Sequence, residues 1–528
     1  MTPTRFVAVL FLLATPLAAQ QQHSSAPAPA LPPLPDSTGW GVHVLAVKRD
    51  PRGEIWVGTY GNGIFRLRPG APTWEHIVRD TTATSISWDF VHAFAFGPRD
   101  EVWYGTVGNG WGFSRDDGAT WVNWTIDQLG PEWQYVAPDG IATSGDTTFV
   151  GTADGVQLTA DDGVHWVALE DAVGPLAKGP ADTAFAVLQS EYVRRLSINR
   201  KGLLLTTLRG NEQLTKQNGL WVSQPVGFAT FSPLNSLLLD GTLFRGTPCG
   251  LRPTTDTLPC ITRNAPAVDA PANPKTLWFQ RPIDRVNNSA IDQTYRYGST
   301  MGGNFQQHQG VEFNNPDGTS VFAIGSGTVV YAGRAEQGAL TVAIRHDTTV
   351  ATPKGRLRIY SVYYHNSELN VKVGDRVKAG QIISEVGNTG RATNDHLHLE
   401  VHASPTDSVA AIVDSLNRFP AYTTNPELWI EPLPTTGIVA GQVWDAEGKP
   451  VRQARVYGLT KPEPLETPFS YAETYGDKAH SHPLYNEHFA VSDVPPGTYV
   501  LGTEINGKKV YRKVVVEERK VTWVVFRP

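Results

Sequence analysis

Residues 297–314 read YGSTMGGNFQQHQGVEFN, and residues 395–402 read DHLHLEVH. The second stretch alternates polar and apolar residues, the pattern of a half-buried strand. His396 and His398 are two apart on it, so their side chains share a face and can converge on one point. In the first stretch His308 and Glu312 are four apart, but Gly310 lies between them and the turn signal Asn315-Pro-Asp-Gly318 follows. That setting is strand-like rather than helical, and the even spacing again gives one face. Two imidazoles and a carboxylate make the donor set of a catalytic zinc site with a fourth position open to water. A further histidine, His365, stands between the two stretches in YYHNSEL. A lone histidine on a strand is more often structural than chemical; the reading rests on the combination.

The surroundings extend the pattern. His308-Gln-Gly-Val-Glu312, Tyr364-His365 and His396-Leu-His398 occur in that order, with Gly318-Thr-Ser-Val-Phe-Ala323, Gly327-Thr-Val-Val330, Val377-Lys-Ala-Gly-Gln381 and Gly387-Asn-Thr-Gly390 among them. This resembles the lysostaphin/LytM-type zinc metallopeptidases, whose signature is His-x-Gly-x-Asp, a distant His, then His-Leu-His. The resemblance spans about residues 280–430 and implies a β-rich fold of the duplicated hybrid motif kind. It implies zinc held by His308, Glu312 and His398, and a catalytic pair of His365 and His396. His396 would act as general base, with His365 stabilising the oxyanion or protonating the leaving amine, and the two roles are interchangeable at this level. The implied substrate is the peptide portion of bacterial peptidoglycan. Glu312 departs from the signature, which has Asp there. Glu400 is placed to hold a ligand histidine by a hydrogen bond. His402, ~13 Å along the strand from His398, is too far to share a metal, and His346 reads as structural.

The rest of the chain is read around this core. Its 528 residues suggest three or four domains, and 40% hydrophobic content is enough to build real cores. A net charge of -6 gives no sign of nucleic acid or an anionic surface as partner. Arg5, the apolar run Phe6 to Leu13 and the small residues ending at Ala19 form a secretory signal over residues 1–19. Its apolar core is too short to span a bilayer, and no other run approaches a span. Residues 20–36 are a Pro-rich linker.

A repeat follows: Ile55-Trp-Val-Gly-Thr59, Val102-Trp-Tyr-Gly-Thr106 and Thr148-Phe-Val-Gly-Thr152, with glycines 47 and 46 residues apart. Ser114-Arg-Asp-Asp-Gly118 and Thr159-Ala-Asp-Asp-Gly163, each followed by a tryptophan three residues on, resemble the Asp-box turns of sialidase-type propellers. We expect a β-propeller of about five blades over residues 37–262, with the Asp-box residues structural rather than catalytic. A protein or glycan ligand of that unit is possible. Cys249 and Cys260, the only cysteines, are expected to form a disulfide in an exported protein. A linker at 263–279 leads to the peptidase-like domain at 280–432, where one helix is expected over Val409–Leu416. Residues 434–528 read as a small β-sandwich resembling the prealbumin-like units appended to carboxypeptidases. Its His480, His482 and His488 are expected to lie in a solvent loop rather than bind metal.

The fold class is therefore mainly β and multidomain; the residues alone support metal-assisted hydrolysis, and the resemblance implies a secreted zinc endopeptidase of the cell wall. Two other classes stay open at this level. One is a degenerate peptidase domain that binds wall peptides or regulates a hydrolase. The other is an interaction scaffold led by the propeller, since fold alone does not fix function.

Overall fold

A computed structural model describes residues 31–129, 135–169, 188, 192–217, 220–227, 235–256, 278–293, 295–392, 394–413, 419–459 and 470–528. The expected signal segment at residues 1–19, most of the two expected linkers and Cys260 lie outside the described residues. Cys249 is disulfide-bonded. The chain is mainly β, built as a series of sheets whose strands pair antiparallel except for one parallel pair, Gly437–Val443 with Val521–Phe526. Among the described residues no helix is long and apolar enough to cross a membrane.

Residues 44–253 form five such sheets in chain order, four of four strands and a last one of three. The Gly-Thr repeat has a packing cause. A Cβ on Gly58, Gly105 or Gly151 would fall within 2.9 Å of a methyl group of Val91, Val136 or Val193, the first residue of the next sheet. Only a bare backbone lets adjacent sheets approach that closely. Gly246, in the fifth sheet, stands in the same relation to Val44 at the start of the first. The two Asp-rich turns are chemical copies. Asp116 accepts from Ser114 Oγ at 2.8 Å and Thr120 N at 2.8 Å; Asp161 accepts from Thr159 Oγ1 at 2.9 Å and His165 N at 2.9 Å. These carboxylates are spent on turn geometry, as expected of structural residues.

The central unit is one mixed-length antiparallel sheet. Six of its nine strands are β1 (Val311–Asn314), β2 (Gly327–Arg334), β3 (Leu340–Thr352), β4 (Gly355–Leu369), β5 (Ile382–Val386) and β6 (His396–Ser404). The order β1-β6-β4-β3-β2 puts the two histidine-bearing stretches side by side, and β5 pairs with the end of β4. Val311, Phe313, Leu397, Leu399 and Val401 are fully buried beneath that face, so the apolar half of the alternation fixes the register. The predicted helix at Val409–Leu416 does not form in its described part, which is a single 3₁₀ turn, Val409–Ala411. Ser408 makes no capping hydrogen bond there, and the β-branched Ile412 and Val413 are buried against Tyr360 and Val362 instead.

Residues 437–526 form a three-stranded and a four-stranded sheet enclosing a core of Val439, Val456, Phe489, Leu501 and Val524. The solvent-loop reading of its histidines is corrected for two of three. The segment from Tyr475 to His488 lies across the end of the central unit, where His480 bridges Thr424 and its backbone bonds Tyr297 Oη. His482 is buried against Trp429, ring centroids 4.1 Å apart, and His488 is buried beside Trp444. Burial pushes His482 down to about 3. Only His480 stays exposed. The apolar end of the central unit needed a cover, and aromatic-like neutral imidazoles supply it.

Candidate metal centre

Cross-strand register builds the site. Glu312 on β1 lies directly opposite His398 on β6, Asn314 opposite His396, and Tyr364 on β4 pairs with His398 from the other side. His308 precedes β1 rather than lying on it. It is tied by His308 N to Ser299 O at 3.1 Å and Gly298 N to His308 O at 2.9 Å, and Tyr295 stacks on its ring at 4.2 Å. Gly310 explains the glycine of the motif: a Cβ there would stand 2.6 Å from His398 Nε2.

His308 Nε2, Glu312 Oε1 and His398 Nδ1 converge. The nitrogens are 3.2 Å apart, and Glu312 Oε1 is 3.2 Å from His308 Nε2 and 3.9 Å from His398 Nδ1. Donors of a tetrahedral zinc, bonded at about 2.0–2.2 Å, stand about 3.3–3.5 Å from one another. Among the described residues this is the one group of three such side chains whose donor atoms all fall within 4.8 Å. The donor chemistry and spacing fit zinc. Glutamate in place of aspartate still brings its oxygen to the cluster.

Hydrogen bonds fix which nitrogen each ring presents. Carbonyl oxygens only accept, so His396 Nδ1 donates to Asn394 O at 2.8 Å and His365 Nδ1 donates to Thr389 O at 2.9 Å. Both therefore offer an unprotonated Nε2 when neutral. Their rings stand 4.8 Å apart, and His396 Nε2 is 3.7 Å from Glu312 Oε1. His398 Nε2 faces Glu400 Oε1 at 3.4 Å, and Glu400 Oε2 takes His402 Nε2 at 2.8 Å. Glu400 thus holds the back of His398, as the sequence suggested, and His402 serves Glu400 rather than the centre. His346 is buried, bonded to Ser361 Oγ at 2.8 Å, and pushed down to about 4 by burial, in keeping with a structural role.

The electrostatics follow from crowding. Burial works to raise Glu312, but His396, His308 and His398 around it hold it well below the usual carboxylate range. Burial opposes charge on His398, yet its bonds to Glu312 and Glu400 push it up to about 9. Burial, then the adjacent His396 and His398, keep His365 neutral far below the usual imidazole range. His365 also sits at φ 65°, a left-handed conformation uncommon for residues other than glycine. There β4 changes partner: Tyr364 pairs with β6, while Asn366 pairs with β5.

Sequence reasoning missed the second half of the setting. A cavity of about 410 Å³ contains all five of these residues, and its other side is lined by Val107, Tyr135 and Tyr192 of the N-terminal sheets. Nothing in local sequence pattern joins residues so far apart.

Comparison with known proteins fits this geometry. Residues 306–410 match the model of peptidase family M23. The chain is 39% identical over 128 residues to the glycyl-glycine endopeptidase ALE-1 of Staphylococcus capitis, covering 23% of this chain and 33% of that protein. It is 35% identical over 108 residues to the peptidoglycan DD-endopeptidase ShyC of Vibrio cholerae, covering 20% and 23%. Among solved structures, the catalytic domain of lysostaphin from Staphylococcus simulans is 34% identical, covering 23% of this chain and 76% of that one, with a TM-score of 0.18. The chain thus spans no more than a third of the length of these curated relatives.

Proposed function

We propose that this protein is an exported zinc-dependent endopeptidase that hydrolyses peptide bonds of bacterial peptidoglycan. The observation that carries the reading is the convergence of His308 Nε2, Glu312 Oε1 and His398 Nδ1 at zinc spacing, beside two histidines whose Nδ1 atoms donate to backbone carbonyls, which leaves Nε2 as the acceptor of each neutral ring. The M23 match and the names of two relatives, a glycyl-glycine endopeptidase and a peptidoglycan DD-endopeptidase, support the substrate class. The secretory pattern of residues 1–19 supports an extracytoplasmic location.

His308, Glu312 and His398 would hold the zinc. When bound, the ion supplies Lewis-acid activation of water and of the scissile carbonyl. His396 Nε2 takes the proton of the attacking water and later gives it to the leaving amine, as a general base and then acid. His365, kept neutral by burial and by its neighbours, orients the water by accepting its second hydrogen. Glu400 fixes the tautomer of His398 so that Nδ1 faces the centre.

The five N-terminal sheets are read as propeller blades, supported by the repeated glycine–valine approach and by Gly246 against Val44. Domain limits of 37–262, 280–432 and 434–528 follow the same reading, as does a resemblance of the last unit to prealbumin-like sandwiches. The test of the activity is release of peptide fragments from purified sacculi by zinc-loaded protein, read by mass spectrometry. Zinc-loaded protein that releases nothing and cleaves no wall peptide would favour the binding-protein class.

A further inference from the structure

The catalytic cavity has a wall that the M23 domain does not make. The loop leading to His308 is clamped from the N-terminal side. Trp88 Nε1 donates to Asn304 Oδ1 at 3.1 Å, and the rings of Trp88 and Phe305 lie 5.6 Å apart. Met301 is 1% exposed in a cluster with Trp88, Val107, Tyr135 and Tyr192. The contact is a packed core, so Val107, Tyr135 and Tyr192 form a fixed side of the cavity rather than a loose flap.

The cavity holds about 410 Å³, near the low end of the range for pockets that take a small ligand. A site meant for the interior of a polymer needs a groove open at both ends. Here one side is closed by apolar and aromatic residues. Among the described residues the lining contains one guanidinium or ammonium group, Arg391. It is exposed and makes no ion pair with any described residue. It stands two residues after Thr389, whose carbonyl holds His365, and five before His396. A planar guanidinium is suited to bidentate capture of a carboxylate.

We infer that the N-terminal sheets restrict the catalytic cavity to short peptides, and that Arg391 selects those with a free terminal carboxylate close to the scissile bond. The inference rests on the hydrolase reading and narrows its substrate to soluble wall fragments or free stem ends.

The test uses the full chain and two probes, N-terminally dansylated pentaglycine and penta-alanine, each as free acid and as C-terminal amide, with intact sacculi as the polymer. Binding is read by fluorescence anisotropy on the protein without added zinc, and cleavage on the zinc-loaded protein. The expected result is a roughly ten- to hundredfold preference for acid over amide on at least one probe. Arg391→Ala should reduce that ratio to about one, and Arg391→Lys should keep part of it. Cleavage per susceptible bond should be at least about tenfold slower on sacculi than on the free acid. Equal treatment of acid and amide, a ratio unmoved in Arg391→Ala, absence of binding by all four peptides, or sacculi cut as fast as the free acid would each overturn it. Preference in binding with no cleavage of any substrate would fail the hydrolase reading while sustaining the role of Arg391.

Discussion

Glu312 is the residue at which this chain departs from the signature it otherwise follows, and its geometry says what the departure does. Its carboxylate is one methylene further from the backbone, yet Oε1 reaches 3.2 Å from His308 Nε2 and 3.9 Å from His398 Nδ1. Glu312→Ala should therefore weaken zinc binding sharply, while Glu312→Asp should retain measurable binding; titration against a competing chelator compares them. The two remaining histidines predict a different pattern. His396→Ala and His365→Asn should keep zinc and lose ~10²–10⁴-fold in hydrolysis, the usual loss for an acid–base group. Asparagine is chosen because it tolerates the left-handed backbone at 365. Loss of zinc in either variant would mean that a ligand has been taken for a catalyst. Four of these five residues were singled out by even spacing on strand-like stretches, a local signal, whereas His365 was singled out only by the family resemblance. Gly310 was legible only as a motif letter; its cause, the 2.6 Å approach to His398, is a cross-strand fact.

At the scale of elements, the turn Ser299–Gly302 is held by a carboxylate from another unit. Glu473 accepts from Ser299 Oγ at 2.8 Å, Thr300 N at 2.6 Å, Thr300 Oγ1 at 3.1 Å and Gly302 N at 3.1 Å. This buried group positions the loop that delivers His308. Glu473→Ala should destabilise the fold by about 2–5 kcal/mol, since several buried donors lose one acceptor, and Glu473→Gln should recover part of it; urea unfolding followed by tryptophan fluorescence reads both. Zinc affinity should fall with the Ala variant, because His308 N bonds the carbonyl of Ser299 in that turn. The strands of the central sheet were readable from their β-branched alternation, though β3 and β4 run on to Thr352 and from Gly355, beyond the patterned stretch. In its described part the helix expected at Val409–Leu416 is a single 3₁₀ turn, because burial of Ile412 and Val413 outweighs a weak local propensity.

Across the whole molecule, the units share buried ionisable groups whose titration couples to folding. His43, His92 and His346 are pushed down to about 4, and His482 to about 3, each by burial. Unfolded imidazoles take up protons near 6.5, whereas these do not until much lower pH. The unfolded state thus binds more protons in that window, and stability should fall as pH drops from about 6.5 to 4. Glu487 works in the opposite sense. Burial raises it to about 8, so the folded state keeps a proton that the unfolded state releases near 4.5. Its contribution is complete at low pH and is lost as pH rises from about 4.5 to 8. Glu487→Gln should remove that loss, improving on wild type at pH 8.5 relative to pH 5 by on the order of a few kcal/mol in urea unfolding. None of this was visible in sequence, where His480, His482 and His488 looked like a polar loop. Burial between units is set by tertiary packing, which local composition does not encode.

The central claim is a zinc site built from His308, Glu312 and His398. Its most direct test is the metal content of full-length protein purified without chelator, given zinc and freed of excess, beside Glu312→Ala treated alike. The account predicts one zinc per chain in the first and little or none in the second. No zinc in the wild type, or equal zinc in both, would contradict it.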